Sequence, residues 1–119
     1  MTRFAFRPAD RLPEGADFVS AVRRSPAAET DHLRVHARAN GLARSRLGIS
    51  VGRRFGGAVA RNRLKRLVRE RFRLTPEVRS AGLDIVVVAK GAGVLERPEE
   101  ITRALLAAAR RAGPGRDRA

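Results

Sequence analysis

Ion pairing with phosphate is the chemistry this sequence is best equipped to do. Between Arg44 and Arg73 stand eleven basic residues and one acid, Glu70, so thirty residues carry +10 of a formal net charge of +14. At the centre of the tract lies Arg61-Asn62-Arg63-Leu64-Lys65-Arg66-Leu67-Val68-Arg69-Glu70-Arg71-Phe72-Arg73. A guanidinium keeps its charge at all ordinary pH and offers a planar fork of donors that fits phosphate in bidentate fashion. The chain uses 24 Arg against 2 Lys, which suits such contacts, although GC-rich coding would leave the same bias. Just upstream, Gly52-Arg53-Arg54-Phe55-Gly56-Gly57 places two cations inside a glycine-bracketed loop. Glycines let a backbone come close to phosphate, and helix-start amides donate to it. Two glycines before a helix also suit a plain turn; Arg53 and Arg54 beside them favour phosphate contact. Proton-transfer and metal chemistry are poorly served. The chain has no Cys and only His32 and His36, which read as exposed strand residues with no catalytic partner. It shows neither a pair of carboxylates for general acid–base work nor metal-ligand spacing.

The basic tract needs a rigid support, and its own apolar residues supply one. At 100° per residue over about Ala58 to Arg73, Ala60, Leu64, Leu67, Val68 and Phe72 fall in one arc, a stripe that packs on a core. Asn62, Arg63, Lys65, Arg66, Arg69, Glu70 and Arg73 fall on the opposite arc. Arg61 sits at the boundary, and Arg71 falls inside the apolar arc, where its stem can lie along the core while its head reaches water. An ordinary solvated helix face mixes signs in i,i+4 pairs. This one sets a single acid among five cations, so repulsion stays uncompensated until a polyanion binds.

The remaining elements follow from periodicity and punctuation. Residues 1–15 read as an extended lead-in. A first helix over about Ala16–Arg24 sets Phe18, Ala21 and Val22 on one face, either as core or as a groove wall that stacks bases of a single strand. Strict alternation predicts strands at Leu33–Ala39, with Arg34, His36 and Arg38 outward, and at Arg46–Val51. The Asn40-Gly41 turn signal joins these two into an expected hairpin. Thr75-Pro76 closes the basic helix. The apolar, β-branched run Leu83–Ala89 reads as a central strand buried on both faces. Pro98-Glu99-Glu100 opens a last helix that carries Ile101, Ala104, Leu105 and Ala108 inward. The expected order is α-β-β-(β)-α-β-α, with an optional short strand near Ala27–Thr30, which makes a two-layer α+β sandwich. A single domain over residues 1–112 and a disordered tail over residues 113–119 fit a chain of 119 residues. No apolar run nears the roughly 18 residues that span a bilayer, and a cytoplasmic protein is expected. The charge leaves RNA, DNA or an anionic membrane as partners.

The stretch from Arg53 to Glu70 resembles the signature of the bacterial ribonuclease P protein component. There a basic pair and a Gly-x-Ala-Val turn lead into Arg-Asn-Arg-x-x-Lys-Arg-x-x-Arg. The similarity runs from Arg11-Leu12 through Asp17-Phe18, the Leu47-to-Val51 strand and the Asp84-to-Ala89 strand to the last helix. It implies a left-handed β-α-β crossover around the basic helix, against the general right-handed expectation. It further implies contacts to a catalytic RNA subunit from Arg53, Arg54, Arg61, Asn62, Arg63, Lys65, Arg66 and Arg69. A cleft near Phe18, Val22, Val35 and His36 is implied to hold the 5′ leader of precursor tRNA. The implied reaction is hydrolysis of one phosphodiester that leaves a 5′-phosphate tRNA, with Mg2+ held mainly by the RNA subunit and no catalytic or metal-binding residue on this chain. The sequence departs from the family where it has Val22, Leu33 and His36 in place of further aromatics and Gly57 in place of Asn. Three rivals remain on residue grounds. A ribosomal or other RNA-structural protein shares the charge and the fold class. A helix-turn-helix DNA binder would need a helix where Leu47–Val51 reads as a strand. A protein-only nuclease lacks its acidic cluster.

Overall fold

Alternating apolar residues build a four-stranded sheet from β1 (Ala27–Glu29), β2 (Leu33–Ala39), β3 (Arg46–Ser50) and β4 (Leu83–Ala89), in the spatial order β1-β2-β4-β3. The structure, a computed structural model, describes residues 8–12 and 22–112. Most of the expected first helix, including Phe18 and Ala21, lies outside the described residues, as do residues 1–7 and the tail at 113–119. Among the described residues the sheet is accompanied by α1 (Ala58–Arg73), the single turn α2 (Pro76–Arg79) and α3 (Glu99–Ala112), and Val22 and Arg23 are helical at the end of the expected first helix. This is the expected two-layer α+β arrangement, and the optional strand is present as β1.

The expected hairpin between the second and third strands does not form. β2 pairs antiparallel with β1 on one side and with β4 on the other, whereas β3 pairs with β4 and runs parallel to it. The physical reason lies in β4. Its residues 83–87 are buried on both faces of the sheet, so its backbone groups need a strand on each side. Asn40-Gly41 is a turn, but it carries the chain across the end of β4 instead of back along β2. Asn40 N–H donates to Gly82 O at 3.0 Å, and its side-chain amide donates to Arg44 O at 3.1 Å and to Asp84 Oδ1 at 3.0 Å.

α1 and α3 cover one face of the sheet, α3 over β1 and β2 and α1 beside β3, with the two helices also in contact. Leu64, Val68 and Phe72 of α1 meet Leu33, Val35, Ala37, Leu47, Ile85 and Val87 in one core that also takes Ile101, Ala104, Leu105 and Ala108 of α3. Each fully buried Leu, Val or Phe contributes about 1.5–3 kcal/mol of burial. On the opposite face Leu12 and Val22 pack on Val86, with Val88 partly buried beside them. The described part of the lead-in, residues 8–12, is docked on the sheet: a 3-10 turn at Pro8–Asp10 precedes a parallel bridge from Arg11 to Leu47 along the outer edge of β3. α1 stops at Arg73, where Leu74 N–H returns to Glu70 O and Thr75 Oγ1 donates to Arg71 O at 2.6 Å. Pro76 cannot extend that helix and instead begins α2, a turn the sequence reading did not separate. Among the described residues no helix is long and apolar enough to cross a membrane.

Candidate nucleic-acid interface

The loop that leads into α1 is held from beneath by Phe55, which is buried in the core, while Arg53 and Arg54 stand exposed on a 3-10 turn. Phe55 N–H donates to Gly52 O at 3.1 Å and Gly56 N–H to Arg53 O at 3.2 Å, which closes the turn. Gly56 has φ of 156°, and a Cβ there would come within 3.0 Å of Ala60 Cβ, so the entry to the helix is built for glycine. Gly57 caps α1 without a side-chain hydrogen bond, and no acid occupies the first turn. Val59, in that turn, is 83% exposed. The sequence reading gave it no role, and its place next to the basic loop is the signal that could have singled it out.

Along α1 the stripe is as expected: Leu64, Val68 and Phe72 are fully buried, and Ala60 and Leu67 are partly so. Arg71 is half-buried, as a stem on the core with a head near water requires. Asn62, Arg63 and Arg66 are exposed on the outer face, and Lys65 and Arg69 are half-buried there. Arg61 is half-buried at the boundary, and its Nε is shut from solvent with no hydrogen-bond partner among the described residues. Burial first, and then the positive charge of Arg11, pull the Arg69 pKa below the usual arginine value. Two cations held near one another on this side favour an anion between them. Glu70, the single acid on the face, reaches only Arg73 among the described residues, at 4.0 Å.

Not every base of the tract faces outward. Arg46 lays its guanidinium on Asp84 with Nε–Oδ1 and Nη2–Oδ2 both at 2.9 Å, and Asp84 is 1% exposed. Arg44 Nη2 lies 3.1 Å from Oδ1 of the fully buried Asp10. These two arginines neutralise buried carboxylates, a use that charge counting along the sequence does not show.

The residues expected to form a cleft do not share one surface. Val35 is a correction: it points into the main core with Leu33 and Val87 and is fully buried. The period of two along β2 puts it on the face opposite His36. Val22 and His36 do lie on the face away from α1 and α3, Val22 fully buried against Leu12 and Val86. His36 is also buried, with Nδ1 2.9 Å from Ser25 O, so the expected exposed histidine is a packed one. Arg34 and Arg38 flank it and are exposed, with Arg34 Nε donating to Glu29 Oε2 at 3.0 Å. Lys90 Nζ donates to the other oxygen of Glu29 at 2.9 Å, and these bonds, Lys90 foremost, hold the Glu29 carboxyl below the usual range. Phe18, the remaining residue of the expected cleft, lies outside the described residues.

His32 is not a free strand residue either. Its ring Nδ1 lies 2.8 Å from Oε1 of buried Glu100, whose Oε2 accepts the His32 backbone N–H at 2.7 Å and the Thr30 hydroxyl. The other side of the ring is boxed by Gly91 and Gly93. This network joins the start of α3 to the β1–β2 turn.

Comparison with known proteins places this geometry in a family. The family model described as Ribonuclease P matches residues 6–113. The Ribonuclease P protein component of Desulfosudis oleivorans is 37% identical over 105 residues, 88% of this chain and 87% of that protein. That of Thermotoga petrophila is 42% identical over 84 residues, 71% of this chain and 72% of its own length. Among solved structures, the RNase P protein from Thermotoga maritima superposes with a TM-score of 0.69 at 36% identity, covering 85% of this chain and 96% of that one. The Staphylococcus aureus RNase P protein does so with a TM-score of 0.67 at 27% identity, covering 87% and 95%. A helix with one buried stripe and one arginine-rich face, set in this sheet and matched over nearly its whole length, belongs to the ribonuclease P protein component family.

Proposed function

We propose that this ribonuclease P subunit grips the catalytic RNA through the 53–57 loop and the outer face of α1, and steadies the 5′ leader of precursor tRNA along the opposite face of the sheet. The observation that carries the reading is the division of α1 into a fully buried stripe of Leu64, Val68 and Phe72 and an outer face where one acid stands among five cations. Such a face is held rigid before its partner arrives, so little side-chain and backbone order has to be created on binding. Arg53, Arg54, Arg61, Asn62, Arg63, Lys65, Arg66 and Arg69 carry the anchoring contacts. The leader runs past Phe18 and the exposed Arg34 and Arg38, with Val22 and His36 forming the packed floor beneath.

The chain screens phosphate repulsion and positions substrate, and the hydrolysis belongs to the RNA. Mg2+ is assigned to the RNA subunit, as the family resemblance implies. There it supplies an activated water and stabilises charge on the phosphodiester. The working compartment in this reading is the cytoplasm. Reconstitution of the chain with a bacterial ribonuclease P RNA tests the reading. Precursor cleavage at low magnesium should be stimulated over RNA alone, and absence of stimulation would leave an RNA-structural role in its place. Arg61→Ala with Arg66→Ala should weaken binding to the RNA subunit, while Phe18→Ala should mainly weaken binding of substrates with long leaders. Equal effects of both changes in both assays would refute two separate surfaces.

A further inference from the structure

A second cationic feature lies past the C-terminal end of α1. Arg44, Arg73, Pro76, Arg79 and Ser80 line an open pocket of about 220 Å³ with no acid on its wall. Beneath it the fully buried Asp10 holds two of the guanidiniums, Arg44 Nη2 at 3.1 Å from Oδ1 and Arg79 Nη2 at 3.9 Å from Oδ2. The backbone that presents these side chains is locked. Ser45 N–H donates to Arg79 O at 2.8 Å, and Ser45 Oγ donates to Val78 O at 2.6 Å and accepts Leu83 N–H at 3.0 Å. Three guanidiniums on one wall repel one another, and the two carboxylates that reach them among the described residues, buried Asp10 and Glu70 at 4.0 Å from Arg73, leave a net positive charge. Arg44 is already drawn to Asp10 and Arg79 stands near it, so an incoming anion has less side-chain order to create. On the α1 wheel Arg73 falls in line with Arg66, seven residues and about 10 Å of helix earlier, which makes the pocket an extension of the cationic face around the helix end.

We propose that this pocket is a seat for one phosphodiester group of the catalytic RNA, separate from the contacts of the Arg61–Arg69 segment. The proposal rests on the ribonuclease P reading above, and the experiment keeps the two apart. Full-length chain is reconstituted with a bacterial ribonuclease P RNA, and Kd is measured across a salt series for wild type, Arg73→Ala, Arg44→Ala and the Arg61→Ala/Arg66→Ala pair. Among the described residues Arg73 makes only the long contact with Glu70 and can be removed without stranding buried Asp10; thermal melting checks that each variant is folded. Arg73→Ala should weaken RNA binding by about three- to tenfold at moderate salt and lower the salt slope by about one phosphate's share. Leader-length dependence should stay as in wild type. A folded Arg73→Ala protein with wild-type affinity and slope overturns the proposal, while failure of wild type to bind the RNA overturns the reading it rests on. A parallel titration with inorganic phosphate, read by arginine side-chain NMR, separates the sources. If Arg73→Ala abolishes the phosphate response yet leaves RNA affinity intact, the pocket is a free-anion site and the RNA assignment is wrong.

Discussion

Glu100 is 1% exposed and carries its charge in a chain dominated by arginine, and it does so because of its donors. Burial alone would raise its pKa, but the bonds from the His32 ring, the Thr30 hydroxyl and the His32 N–H outweigh it and hold the carboxyl below the usual range. A carboxyl whose folded pKa is depressed contributes stability above the ordinary carboxylate range and loses it as pH falls through the folded value. Glu100→Gln should therefore cost about 1–3 kcal/mol in urea unfolding at neutral pH, and the gap from wild type should narrow on acidification. Gly93 faces the other side of the same histidine. A Cβ there would lie 2.5 Å from His32 Nε2, so Gly93→Ala should displace the ring and lower the melting temperature, whereas Gly57→Ala, with open space around it, should not. None of this network was legible in the sequence. Thr30, His32 and Glu100 are separated by up to seventy positions, and local spacing cannot reveal a contact made by folding. Val35 shows a related limit: it resembled a cleft residue by position in the family pattern, yet the alternation of its own strand already placed it beside Leu33 on the core face.

At the scale of elements, α1 was the most legible part of the chain because a period of 3.6 fixes which residues face inward whatever they pack on. Leu64→Ala should cost about 2–5 kcal/mol in denaturant unfolding, the range for emptying a buried site of that size. Arg66→Ala, on the exposed arc, should leave stability within about 0.5 kcal/mol while weakening RNA binding. That pair of outcomes separates the two faces of a single helix. The strands were legible as strands but not as neighbours. Alternation tells which face of a strand is buried and says nothing of which strand lies beside it, so a turn at Asn40-Gly41 suggested a hairpin that β4 pre-empts. The clue was in the composition of β4: Leu83-Asp84-Ile85-Val86-Val87 has apolar residues on both faces, as an interior strand must.

Across the whole molecule, charge is sorted into two kinds of work. Arg44 and Arg46 are tied to buried Asp10 and Asp84, while the outer face of α1 and the 53–57 loop carry cations with few acids near them. Binding to the RNA subunit should therefore fall steeply with salt, each neutralised phosphate contributing about −0.9 to the slope of log K against log salt concentration on duplex regions. A nearly flat salt series would refute an electrostatic anchor. Composition alone made a polyanion partner legible, and the Arg-Asn-Arg spacing narrowed it to one family, but neither could show which arginines are already engaged inside the fold. The parallel pairing of β3 with β4 has a consequence in time. Ser50 and Val88 sit side by side only after the intervening chain has closed, and that chain carries the arginine-faced helix α1 with the turn α2 after it. Helix formation is local and fast, whereas the pairing must wait for a long loop to close. Refolding is thus expected to build α1 before the sheet is complete, and Leu64→Ala should slow the refolding limb of a stopped-flow chevron as well as speed the unfolding limb. The arginine-rich face of α1 is then among the earliest parts of the molecule to take shape, ready while the edge of the sheet is still being laid down.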